Sequence, residues 1–343
     1  MAKAGNYYYD QLNKEQQRAY YAIKEGLLNL QDSFAVPMLS RKELSDIYYM
    51  IRMDCPAIFY SVAFSYKHYP DSSVVEMIPQ YLFTKSKIKE HRQAMESRVK
   101  KLALQAANLD EKGKELFIHD FMVKNVKYDK LKKEYSHEII GALGNGVAVC
   151  EGIAKAVKIL CDELNIWCII ALSEANPEKG IKYRHAWNVI RIGGQYYHLD
   201  ATFDNTLSKD DMVRYDYVNL SDKQIFRDHE PVIWKIPVCS DNDHFYYKEK
   251  KISWTTMDEV QNRTKQAVKK GKVLLFHWRG GYLTKEILGS LMEIFAKEAQ
   301  VKNKRAYVSV NWPQAVLRVR FEDGVGQEQL EMEEANEGEE GVG

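Results

Sequence analysis

Apolar residues recur at two different spacings along this chain, and the change from one to the other divides it. Through about residue 165 the spacing is mostly helical. Tyr20, Ile23 and Leu27 fall on one face of the stretch 13–30, at the three- and four-residue steps of an amphipathic helix. Ser40 and Glu43 stand at capping-box spacing and predict a helix start. Residues 84–108 predict a long charged helix, whose interleaved Glu, Lys and Arg read as a solvated face. Phe117, Phe121 and Met122 give core spacing to a helix over 110–129. The stretch after it, to about residue 146, reads as loop, ending in an Asn145-Gly146 turn. Ile153, Val157, Leu160 and Leu164 then define one face of a helix that begins near Cys150. The interruption is 72–83, a strand or pair of short strands, in which Pro79 predicts an edge or a break.

Beyond residue 165 the period shortens. Residues 167–175, 184–192 and 195–203 are rich in β-branched and aromatic residues. Gly193-Gly194 separates the last two and predicts a hairpin. Residues 215–222 predict one more short strand. Residues 238–251 read as a linker. Past it, helix, strand, helix, strand and strand predict a small α/β module over 252–322. The end, 323–343, is acidic, glycine-containing and poor in apolar residues, which predicts disorder. The expected organisation is thus a mainly helical N-terminal region (1–109), a central core (110–237), the small module and an acidic tail. The fold class is α+β.

Composition narrows the functional classes. A net charge of +1 over 343 residues gives no electrostatic reason to expect nucleic acid as partner. No apolar run is long enough for a membrane span. The N-terminus lacks an apolar signal segment, which leads us to expect a cytoplasmic protein. Five irregularly spaced cysteines with no C-x-x-C pair suit free thiols in a reducing compartment. Walker, dinucleotide-binding and serine-hydrolase glycine motifs are all missing from the sequence. No cofactor is expected.

Three residues carry candidate chemistry. Cys150 starts a helix, where unpaired N–H groups and the macrodipole favour a thiolate. The same N–H groups suit an oxyanion on an acyl substrate. His185 begins one strand of the hairpin and Asp200 ends the other. With the turn at 193–194, mirror pairing sets residue 185 opposite about residue 202, one same-face step from Asp200. A bulge or longer turn would close that gap. An imidazole held by a carboxylate would then deprotonate the thiol. Among the other cysteines, Cys161 and Cys168 read as core thiols, and Cys55 and Cys239 have no evident partner. His198 falls on the strand face of Asp200, so a metal set of Cys150, His185, His198 and Asp200 is a conceivable alternative. Asp204 reads as a turn or cap residue. Glu151 is expected to point away from the thiol.

Three blocks together resemble the transglutaminase-like superfamily: "AVCEGIAKA", "RHAWNVI" and "YYHLDATFD". The flanking "FIHDFMVKNVKYD" and "YDYVNLSD…DH" resemble segments of bacterial members. The resemblance spans about residues 113–230. It implies a papain-like core, a Cys-bearing helix packed on an antiparallel sheet, with Cys150 as nucleophile, His185 as general base and acid, and Asp200 as orienting carboxylate. Trp187 matches an aromatic common after the histidine, and Phe203 stands where Trp is frequent. The residues before Cys150 lack the Arg-Gly-Gly of arylamine N-acetyltransferases, and the CxxC pairs of peptide N-glycanases are absent from the sequence. The implied activity is a thiol hydrolase, protease or transamidase acting on a protein or peptide through an acyl-thioester, with Glu151, Gly152, Trp187 and Tyr217 as substrate or oxyanion residues. The alternative is a catalytically silent interaction module of the same fold.

Overall fold

In a computed structural model of the chain, residues 5–208, 212–324 and 329–333 are described. The N-terminal part alternates helix and sheet. Helix α1 (Lys14–Leu28) is closed at its start by a capping box between Asn13 and Gln16. Strand β1 (Phe34–Pro37) follows, then α2 (Arg41–Asp54), whose predicted Ser40–Glu43 capping box is formed. Strands β2 (Ser61–His68) and β3 (Val74–Tyr81) complete a three-stranded antiparallel sheet in the order β1-β3-β2. Pro79 therefore lies in the central strand, not at an edge. It is tolerated because β1 pairs only with residues 74–77, so no ladder bond is asked of the prolyl nitrogen.

Helices α3 (Lys85–Ala106) and α4 (Glu111–Asn125) follow as expected. The stretch read as loop is largely wound. It holds a 3-10 turn (Glu134–His137) and a turn of π-helix (Ile140–Asn145), ended by Gly146 at φ +65°. Two short parallel strands, β4 (Lys127–Tyr128) and β5 (Val147–Ala148), bracket it. Helix α5 (Cys150–Glu163) then packs on a four-stranded antiparallel sheet. That sheet consists of β6 (Cys168–Ser173), β7 (His185–Ile192), β8 (Gln195–Leu199) and β9 (Val218–Leu220), in sequence order. The hairpin turns at Gly193-Gly194, both at positive φ, with Ile192 paired to Gln195.

The predicted strand over 195–203 is cut short at Leu199. Residues 201–207 form α6 (Ala201–Leu207), because Asp200 accepts the backbone N–H groups of Thr202 and Phe203 and caps a helix there. Two short helices follow, α7 (Asp222–Ile225) and α8 (Tyr246–Glu249). The segment read as a linker is packed instead: Cys239, Phe245 and Tyr247 are buried in a cluster with Trp187, Tyr217 and Val316. Irregular aromatic spacing among charged residues hid this.

The last part is a five-stranded sheet in the order β10-β11-β13-β12-β14. Its strands are β10 (Ser253–Trp254), β11 (Leu274–Trp278), β12 (Lys304–Asn311), β13 (Val316–Asp323) and β14 (Gln329–Glu333), with α9 (Met257–Lys270) and α10 (Lys285–Gln300) packed against it. Strand β14 corrects the disorder expected for 323–343: residues 329–333 pair in parallel with β12. Composition misled there because Glu333, one of many acids, is held in an ion pair by the buried Arg214. The rest of that acidic stretch, from 334 on, lies outside the described residues.

The N-terminal helices and the central sheet share one hydrophobic cluster, running from Tyr8 to Val218. The backbone N–H groups of Tyr8 and Tyr9 bond to Asp54, and the Tyr8 hydroxyl donates to the carbonyl of Ile170 in β6. No described helix is long and apolar enough to cross a membrane.

Candidate active site

Helix α5 and strand β7 run side by side in the same direction. Asn188 of β7 donates its side-chain N–H to the carbonyl of Ala154. Further along the helix, Cys161 lies against Cys168, whose partner in β7 is Ile190. Followed back from the Asn188–Ala154 contact, roughly 6 Å of helix reaches Cys150 and roughly 10 Å of strand reaches His185. Both residues thus stand at the same end of the sheet. Each is nearly buried, with relative exposures of 6% and 8%. Val149 precedes α5, and its own apolar side chain supplies no cap to the helix.

His185 Nε2 is 2.6 Å from Asp200 Oδ2. The hairpin has no bulge between β7 and β8, so the register is the mirror pairing read from sequence. What closes the one-step gap is the break at Asp200, where the chain leaves the strand to start α6. Asp200 divides its work between its oxygens. Oδ1 caps α6, and Oδ2 accepts from the histidines. Burial alone would raise its pKa. The His185 charge and the bonds from His185 and His229 outweigh that and hold the carboxyl well below the usual range.

A second histidine, the last residue of the flanking "YDYVNLSD…DH", meets the same carboxylate. His229 Nε2 is 2.9 Å from Asp200 Oδ2, and its Nδ1 is 2.8 Å from Asp228 Oδ1. It is fully enclosed, with Trp187, Phe203 and Tyr217 rings around it. The dipeptide Asp228-His229 stands in the sequence, but no strand or helix period points to it.

Residues 100–201 match the family model of the transglutaminase-like superfamily. The matched span contains Cys150, His185 and Asp200 and stops short of His229. No curated protein gives a significant match. Two solved structures are similar over part of the chain. One, from Cytophaga hutchinsonii and described as a candidate cysteine protease, is 17% identical, covering 41% of this chain and 61% of its own, at a TM-score of 0.27. The other, described as a TGase, is 9% identical, covering 49% and 50%, also at 0.27. The chain therefore spans less than two thirds of either.

In and beside the matched span, the four residues expected to line substrate make the following contacts. Glu151 joins an ion cluster: its Oε1 lies 3.1 Å from Arg52 and 2.8 Å from Lys155. Gly152 is glycine because a backbone carbonyl needs the space. A Cβ there would sit 2.2 Å from the Ser136 oxygen. Gly152→Ala should thus cost roughly 1–3 kcal/mol in denaturant unfolding and slow Cys150 alkylation by displacing the start of α5. Unchanged values in both measurements would refute this packing role.

Trp187 is 1% exposed and stacks on His185, with ring centroids 5.7 Å apart and planes 17° from parallel. It is a support for the imidazole. Tyr217 is buried and donates its hydroxyl to Asp228 at 2.6 Å. Asp204 is buried too, accepting from His119 Nε2 at 3.0 Å and from the Asp216 backbone at 2.7 Å. Burial would lower the His119 pKa, but its bonds to Asp120 and Asp204 carry it up to about 9.

His198 does not join the triad. It clusters with Asp222 and Cys239, with ligand-type atoms all within 4.8 Å. Metal chemistry is disfavoured there by the tautomer. Trp187 Nε1 donates to His198 Nδ1 at 2.9 Å, so the ring proton sits on Nε2 and points to Asp222 at 2.8 Å. A metal-ligating histidine instead needs a free lone pair on one nitrogen and a proton on the other. The cluster's evident task is to fix the Trp187 indole under His185.

Proposed function

We propose that this protein is a cysteine-dependent amide or peptide hydrolase working through Cys150, His185 and Asp200. The observation that carries the reading is the 2.6 Å His185–Asp200 bond at the sheet end where the Cys150 helix begins. The carboxylate fixes the imidazole and stabilises its protonated form. His185 takes the thiol proton as Cys150 Sγ attacks the substrate carbonyl. The tetrahedral oxyanion is stabilised by the positive end of the α5 macrodipole. Collapse breaks the C–N bond, and His185 returns the proton to the leaving amine. Water, deprotonated by the same imidazole, then cleaves the acyl-thioester. An amine in place of water would give transamidation. A protein or peptide carbonyl is the proposed substrate, and 110–237 the proposed catalytic region.

The test is selective alkylation. Iodoacetamide added below stoichiometry near neutral pH should label Cys150 ahead of the other four thiols, as judged by peptide mass spectrometry. Cys161 is held in its neutral form by its contact with Cys168 and by burial, and Cys239 by burial and the nearby Asp222. His185→Ala should abolish the preference. Folded protein in which Cys150 reacts no faster than its neighbours would refute the reading.

A further inference from the structure

His229 lies outside the span that the family model matches, yet it is bound to the same oxygen of Asp200 as His185. Its protonation follows from geometry. Nδ1 faces Asp228 Oδ1, and Nε2 faces Asp200 Oδ2. Both partners are carboxylates already acting as acceptors. Asp200 Oδ1 takes two backbone N–H groups. Asp228 Oδ2 takes the Tyr217 hydroxyl at 2.6 Å and Gln314 Nε2 at 3.2 Å. Both nitrogens of His229 must therefore donate, which makes it an imidazolium. The direction of its pKa agrees: burial opposes the charge, but the bonds to Asp200 and Asp228 raise it.

Gln314 gives this chain of bonds an unexpected end. It belongs to the turn between β12 and β13, more than eighty residues further along. Its amide also donates to the Gln224 carbonyl, and Arg227 bonds to the neighbouring Pro313 carbonyl at 2.9 Å. The C-terminal sheet thus reaches the carboxylate that holds His229.

We propose that Asp228 and His229, braced by Gln314 from the C-terminal sheet, form a positioning relay that sets the charge and orientation of Asp200 and, through it, the basicity of His185. This inference rests on the proposed triad. One carboxylate oxygen shared by two histidines cannot give either its full charge. A protonated His229 therefore limits how strongly Asp200 holds the proton of His185. Without it, the His185 imidazolium would be over-stabilised and would give up its proton only at higher pH. Among the described residues, the charged and titratable groups around His229 are Asp200 from the start of α6, Asp228, Tyr217, His185 from β7, and His198 with Asp222 beyond the Trp187 ring.

The experiment is the pH profile of Cys150 alkylation in the full chain, from about pH 4 to about pH 10, for wild type, His185→Ala, His229→Gln and Asp228→Asn. Glutamine still offers Asp200 an N–H but carries no charge. Asp228→Asn removes the partner that keeps His229 protonated. Both variants should move the alkaline inflection of the profile upward by about half a pH unit or more. Two chemically different changes would then give one shift, whereas simple loss of packing would lower the melting temperature without a common shift. If wild type depends on His185 but neither variant moves the inflection, or both move it downward, the relay is overturned. If wild-type Cys150 is indifferent to His185→Ala, the triad itself has failed and the relay falls with it.

Discussion

Asp200→Asn should slow alkylation of Cys150 at pH 6 by about a hundredfold or more, because an unassisted thiol is only about 0.3% ionised there. The change is nearly isosteric. The amide oxygen can still cap α6, so the helix should survive. What fails is the face toward the histidines. The amide nitrogen donates where Asp200 Oδ2 now accepts from His185 and His229. His185 Nε2 must then become an acceptor, and its proton moves to Nδ1. The carboxylate that stabilises the imidazolium is gone as well. On any amide substrate, turnover should fall by roughly 10^4-fold for the same reason. Thermal unfolding run in parallel separates the two effects: a folded variant with undiminished alkylation would mean that Asp200 only caps a helix.

Arg52→Ala should cost about 3–5 kcal/mol of stability. Arg52 comes from α2, yet its Nη2 lies 2.5 Å from Glu138 and 3.1 Å from Glu151, next to Cys150. Lys155 completes the cluster at 2.8 Å from both carboxylates. These groups are removed from water, so deleting one cation leaves a buried carboxylate under-compensated. The pH dependence follows. Burial would raise the Glu151 pKa, but Lys155 and Arg52 drive it well below the usual value. A depressed carboxylate adds stability that is fully present above its unfolded value, about 4.3, and is lost as pH falls through the folded value. Arg52→Ala weakens that depression, so acid unfolding should begin at a higher pH than in wild type. Equilibrium unfolding by urea across the acid range measures both effects. A loss under about 1 kcal/mol would mean that the cluster behaves like a surface pair.

The legible parts of this protein are those with a local period. The change from helical spacing around Val157 and Leu160 to the strands around Ile170 and Val189 placed Cys150 at a helix start. The Gly193-Gly194 turn fixed a register from which the His185–Asp200 contact could be counted. The misread parts are held by contacts that no period encodes. His229 meets Asp200 across twenty-nine positions that hold α6, β9 and α7. Cys239, Phe245 and Tyr247 are buried by neighbours from two different sheets and the segments around them, so their spacing looks like that of a linker. Glu333 belongs to a strand because Arg214 is there to receive it. Gly152 looked like room for substrate, but only the position of the Ser136 carbonyl shows which neighbour fills it.

The bond from the Tyr8 hydroxyl to the Ile170 carbonyl closes a separation of 162 positions. During synthesis the first helices emerge long before the sheet that buries them exists. Helix α1 can pack on α2 and on β1 early, but the rest of the helices' apolar surface stays open until the chain has been extended through β6, and loop closure over such a distance is slow. An amino-terminal fragment made alone should therefore be a poor folder and an attractive client for chaperones.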